Sequence, residues 1–204
     1  MLKHIHNVLT LVALLAASCF LLSWADSWEG IKKSAEEVRS IRADFVQEKH
    51  MKILRKPLVS KGILYYRIPG SLRWEYESPV QSILLMHNGQ TKRYIQSKDG
   101  LVRDKGAGLQ AMQFVLPEIT KWFSGRFDDN PDFEATLESG SRIVLRPKKQ
   151  AMAKMIARIE LVLADRPGVI KSVTIYESKD TFTKIKFENA RLNNTLQDAI
   201  FQEI

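Results

Sequence analysis

Cysteine is almost absent: the 204 residues hold one, Cys19, inside an N-terminal apolar segment. If that segment is removed, the mature chain has no thiol and no disulfide, and its stability must come from packing. Histidine is scarce too. Beyond the N-terminal segment only His50 and His87 occur, which excludes Cys/His zinc sets and a Cys-His nucleophile. Neither common glycine-rich phosphate loop is present, and no Gly-x-Ser-x-Gly elbow occurs. Asp128-Asp129, followed by Asn130-Pro131, reads as turn chemistry. Glu36-Glu37 reads as a solvated helix face, because adjacent helical residues point apart. These absences favour a binding protein over an enzyme, with no cofactor and no metal.

Long hydrophobic runs are limited to Val8 to Leu22, short for a membrane span of roughly 20 residues. With Lys3 before it and Ser23-Trp24-Ala25 ahead of Asp26, the run predicts an export signal over 1–25, cleaved after Ala25. Two alternatives stay open: an uncleaved anchor, and a lipoprotein acylated on Cys19. Against the second, Ala16 stands where a lipobox prefers Leu, and the run continues through Phe20-Leu21-Leu22. Residues 26–204 have the length of one domain with a real core, and neither a repeat nor a linker divides them.

Charge is unbalanced, 31 Lys and Arg against 23 Asp and Glu for a net +8. An exported chain meets little nucleic acid, and the basic residues do not cluster around stacking aromatics, so no nucleic-acid partner is expected. Anionic membrane surfaces are the expected counterpart, felt within about 8 to 10 Å at ordinary ionic strength. Lys148-Lys149, Lys154 and Arg158 read as a solvated edge.

The patterning gives a helix over 27–40, with Ile31, Ala35 and Val38 on one stripe. Alternation then predicts strands over 41–51, 59–67, 72–77, 82–87 and 91–96, an antiparallel meander with a hairpin at Asn88-Gly89. A loop is expected from Lys98 to Gly108. The period turns helical over 109–124, where Leu109, Met112, Phe114, Val115 and Leu116 crowd together and Pro117 opens a second short helix. Strands resume at 133–138, 142–147, 156–163, 169–177 and 181–191. One face of the last three collects Ile159, Leu161, Leu163, Val173, Ile175, Ile185 and Phe187. A long sheet with one apolar face must curl or be covered.

The richest stretch runs from Pro57 to Pro79. Leu64 and Tyr66 on one strand and Leu72, Trp74 and Tyr76 on the next share one side, a surface that needs a core, a partner or an apolar guest. Phe45-Val46-Gln47 with Lys49, Pro57-Leu58-x-Ser60-x-Gly62, then Pro69, Leu72-Arg73-Trp74-x-Tyr76 and Pro79 resemble the LolA-like family, periplasmic carriers of outer-membrane lipoproteins. The resemblance extends more weakly through Asn88-Gly89 into the C-terminal strands. It implies a mainly β, α+β fold: an incomplete, strongly curved antiparallel barrel with a helical lid over an apolar cavity. It also implies a periplasmic monomer that takes an acylated lipoprotein or other lipid from an inner-membrane ABC transporter complex to an outer-membrane acceptor. By motif position Leu64, Tyr66, Leu72, Trp74, Tyr76 and Leu84 would line the cavity, joined by Phe45, Ile68, Ile185 and Phe187. Leu109, Met112, Phe114, Val115 and Leu116 would form the lid.

One position departs from the family. Its well-studied members carry an inward-facing arginine immediately before the proline that matches Pro69, where it bonds the lid shut. Here that position is Ile68, and Arg67 lies one earlier, on the opposite face of a regular strand. Either a bulge returns Arg67 to the inside or the lid is held without that latch; the second is expected. The departure keeps open a non-lipoprotein lipid as cargo and, from another class, a lipid-binding envelope sensor.

Overall fold

The computed structural model describes residues 27–104, 118–165, 169–202 and 204. The expected leader, Cys19 and the lid residues Leu109, Met112, Phe114, Val115 and Leu116 lie outside them.

Helix α1, Trp28–Glu36, opens on Ser27, whose hydroxyl accepts from the Gly30 amide at 3.0 Å, a serine N-cap. Its stripe Ile31 and Ala35, with Val38 beyond, is buried. Eleven strands follow: β1 Ser40–His50, β2 Leu58–Arg67, β3 Ser71–Ser78, β4 Ser82–His87, β5 Gln90–Ser97, β6 Gly100–Asp104, β7 Phe133–Glu138, β8 Arg142–Pro147, β9 Arg158–Leu163, β10 Ile170–Tyr176 and β11 Phe182–Leu192. A helical segment, α2, is described over 118–123, and α3, Gln150–Ala153, is a single turn. A 3₁₀ turn, Asp198–Phe201, closes the chain.

Among the described residues all strands belong to one antiparallel sheet in the order β6-β5-β4-β3-β2-β1-β11-β10-β9-β8-β7. Every hairpin neighbour pairs with the next, and β1 joins the two runs by pairing with β11. The outer strands β6 and β7 do not pair, so the sheet is curved but not closed into a barrel.

The two faces carry different cores. The register sets Ile41 against Tyr66, Ala43 against Leu64, Leu64 against Trp74 and Tyr66 against Leu72. These residues belong to one buried cluster with Ile31, Phe123, Phe127, Leu161 and Val173, on the face that α1 and α2 cover. On the opposite face Ile83 and Leu85 are buried, and the 3₁₀ turn lies there with Phe201 stacked 6.0 Å from His87.

The expected loop after Gln96 is in its first half a hairpin, because Lys98-Asp99 makes the turn into β6. The short α3 and the 3₁₀ turn also went unread, being too brief to show a period.

Candidate functional site

A hollow of about 320 Å³ opens between α2 and the sheet, within the range of small-ligand sites. Its floor comes from β10 and β11, with Ile170, Val173 and Ile175 beside Ile185 and Phe187. One wall is Trp74 and Tyr76 of β3; another is Ile119, Trp122 and Phe123 of α2; Met155 and Ile156 close the side before β9. Alternation accounts for Val173 with Ile175 and Ile185 with Phe187, since residues two apart share a face; Ile170, three before Val173, joins them through the register shift between Ile170 and Ser172.

The polar lining lies at one end. Gln47, Glu177 and Thr183 are the hydrophilic residues around the hollow, and all three sit near the same strand ends. Lys49 is paired with Thr183 across β1 and β11, and Gln47 with Ile185. Glu177 follows β10 and makes an ion pair with Lys49. The cavity is therefore polar at one end and apolar along the rest of its lining.

Tyr76 stands at this boundary. Its hydroxyl donates to the Gln47 side-chain oxygen at 2.8 Å, and burial pushes its pKa above the usual phenol value, so it stays a neutral donor. The same pair borders a second hollow of about 480 Å³, lined with Leu84, Ile95, Ser60, Ser82 and Arg93. Gln47 and Tyr76 thus form a hydrogen-bonded partition between two hollows of the concave face. Phe45 buttresses it, its ring 5.1 Å from both Trp74 and Tyr76.

Of the residues expected to line a cavity, Trp74, Tyr76, Ile185 and Phe187 line the main hollow, and Leu84 lines the second. Phe45, Leu64, Tyr66 and Leu72 are fully buried beside it. Phe123 stacks on Tyr66 at 4.9 Å, so α2 occupies the space over β2, and what remains between Leu64 and Phe123 is a gap of about 10 Å³. Ile68 packs half-buried at the end of β2. The sequence reading missed Ile119, Trp122, Met155 and Ile156. Trp122 and Phe123 are large apolar residues near the end of α2, but nothing local in the sequence marks the strands, β10 and β11, that share the hollow with them.

Arg67 faces away from the cavity. Its guanidinium donates to the Leu196 carbonyl at 2.7 Å, pairs with the Asp198 carboxylate and lies 4.9 Å over the Phe201 ring. No bulge interrupts the β1–β2 register between Ser40–Arg67 and Lys49–Leu58. Arg67 thus fastens the C-terminal turn to the convex face. Arg67→Leu is expected to lower Tm by about 2–4 °C while leaving the hollow's lining undisturbed; a thermal melt unchanged from the parent contradicts this.

Among the described residues no group of three or more His, Asp or Glu side chains could hold a metal ion, and no helix is long and apolar enough to cross a membrane.

The family model for "Outer membrane lipoprotein carrier protein LolA" matches residues 36–203. The chain belongs to the LolA family. Solved structures with the same fold include that of Pseudomonas aeruginosa MucB in complex with MucA, at 14% identity and a TM-score of 0.51, covering 86% of this chain and 60% of that one. Another is a conserved protein from Thermus thermophilus, at 13% identity and a TM-score of 0.50, covering 86% and 93%. A LolA superfamily protein from Nitrosomonas europaea matches at 10% identity with a TM-score of 0.42, over 86% and 97%. No curated protein matches this sequence. In LolA-family terms, the open eleven-stranded sheet is the incomplete barrel expected from the motifs around Pro57 to Pro79.

Proposed function

We propose that this LolA-family protein is a periplasmic carrier, a single domain over 26–204 that holds the acyl chains of a lipoprotein or similar amphiphile in the main hollow and shuttles it from inner to outer membrane. The single observation that carries this reading is the polarity gradient of the cavity. Ile170, Val173, Trp122 and Phe187 offer hydrocarbon an apolar interior, while Gln47, Glu177 and Thr183 gather at one end, where a polar headgroup would sit. Each methylene moved from water into such a site contributes about 0.8 kcal/mol.

By family resemblance the donor is an inner-membrane ABC transporter complex and the recipient an outer-membrane acceptor, with the carrier a monomer between them. Mass spectrometry of small molecules and acylated proteins extracted from the purified protein tests this. A co-purified acylated protein supports the lipoprotein carrier; free lipid alone supports a carrier of another amphiphile; an apolar extract that is empty, with no uptake of added lipid, refutes both.

A second reading, an envelope sensor with a protein partner, draws on the shared fold with MucB, which was solved in complex with MucA. An N-terminal segment retained in the mature protein, seen by intact-mass measurement, would favour the sensor.

A further inference from the structure

The strand ends at the polar end of the cavity carry another feature. The registers Lys49–Leu58, His50–Phe182 and Tyr76–Ser82 bring the β1–β2 loop, the β10–β11 turn and the β3–β4 turn to one rim. The β1–β2 loop, 51–57, reads Met-Lys-Ile-Leu-Arg-Lys-Pro and contains no acidic residue. Within it the Leu54 amide donates to the Met51 carbonyl at 2.9 Å, a turn with Lys52 and Ile53 at its corner. At the loop's base His50 stacks on Phe182 with ring centres 4.3 Å apart.

This turn presents apolar side chains to water. Ile53 is 86% exposed, and Leu54, Leu58 and Val59 are exposed with it. Val80 and Met155, on neighbouring segments of the same rim, are exposed as well. Single exposed apolar residues are ordinary; several gathered on one rim point to an interaction surface.

Cations surround the tip. Lys52, Arg55 and Lys56 are on the loop, and Lys179 stands across a shallow hollow from it. Of the nearby acids, Glu177 pairs with Lys49 and Glu48 lies against His50, while Asp180 borders the same hollow beside Lys179 and leaves the cations in excess there. Among the described residues no carboxylate forms an ion pair with Lys52, Arg55, Lys56 or Lys179. An apolar point ringed by unpaired cations complements an interface whose outer layer is anionic and whose inner layer is hydrocarbon. A protein groove would accept the isoleucine but gives no reason for the ring of charge.

We propose that the 51–57 loop docks this rim on an anionic lipid bilayer, with Ile53 and Leu54 entering the acyl boundary and Lys52, Arg55 and Lys56 at the lipid phosphates. The polar end of the cavity then faces the membrane. This goes beyond the carrier reading and holds whatever the cavity contains.

The test is co-sedimentation of the purified protein with phosphatidylcholine vesicles, with and without phosphatidylglycerol, every variant confirmed by intact mass to have the same N-terminus. The parent is expected to bind the anionic vesicles, less so as salt rises, and the neutral ones weakly. Replacing Lys52, Arg55 and Lys56 together by Gln should weaken anionic binding on the order of 100-fold, at about fivefold per cation. Ile53→Asp should weaken it about tenfold. All four side chains are exposed, so folding is unaffected, and lipid uptake by the cavity in vesicle-free solution should match the parent. Variants that bind like the parent overturn the proposal. So does a parent that binds neither vesicle, which would assign the loop to a protein partner. Failure of the carrier reading is distinct: vesicle docking persists while the cavity takes up no lipid.

Discussion

Ile175→Trp is expected to abolish high-affinity lipid binding while leaving the fold intact. Ile175 lines the main hollow and is half-buried, so an indole there has room to project into the cavity without being forced into the closed core. Excluding about four methylenes of a guest at about 0.8 kcal/mol each removes about 3 kcal/mol, or about 200-fold in affinity. Displacement of a fluorescent fatty acid reads this directly, and extracted lipid read by mass spectrometry should fall with it. Ile175→Ala, which enlarges the same space, should retain binding. Equal affinity in the tryptophan variant and the parent would place the guest elsewhere, the second hollow behind Tyr76 and Gln47 being the alternative.

Gly62→Ala should be among the most damaging single substitutions in the chain. A Cβ at Gly62 would lie 1.9 Å from the Glu75 carbonyl oxygen and 2.8 Å from the Phe45 ring. The first is backbone of the paired strand, which cannot swing aside, so β2 and β3 must part where the register shifts between Lys61 and Gly62. Overpacking a core costs about 1–3 kcal/mol, and a clash with backbone belongs at or above the top of that range. A loss of about 3 kcal/mol moves a urea midpoint down by about 1–2 M. The effect should reach the cavity as well: Phe45 packs on both Trp74 and Tyr76, so displacing its ring shifts the wall and the Gln47 partition. Gly70→Ala is the control, since a Cβ there meets nothing within 4 Å and should change stability by under about 0.5 kcal/mol. A Gly62→Ala protein as stable as the parent would show that the two strands can separate at little cost.

The motif that resembles LolA acquires a physical reason in Gly62. Phe45 and Gly62 are directly paired, and the ring takes the space that the glycine leaves. Pairs of this kind are visible in a sequence only as two residue types at a distance. Their necessity comes from the third strand, whose Glu75 carbonyl closes on the same point.

Local period made much of the architecture legible. Ile41, Ala43 and Phe45 alternate, as do Leu64 with Tyr66 and Leu72 with Trp74, and each set proved to be buried. Ile31, Ala35 and Val38 likewise marked the covered stripe of α1. Strand β6 was not legible: its residues Leu101 to Asp104 are partly exposed, and without a buried face there is no alternation to see. Arg67 was read correctly as facing outward, because a regular strand fixes the side of each residue, but its partners Leu196, Asp198 and Phe201 lie far along the chain.

Sequence by itself determined the open antiparallel sheet, its apolar face and the family, since these depend on residues a few positions apart and on motif spacing. Which part of that face is solid and which hollow was decided only by tertiary structure. Leu64 is as apolar as Val173 and Ile185, yet Phe123 of α2 fills the space over Leu64 and Tyr66 and leaves a hollow beside the other pair. Close packing makes a cavity a property of what does not arrive, and no single strand records where a distant helix will fall short.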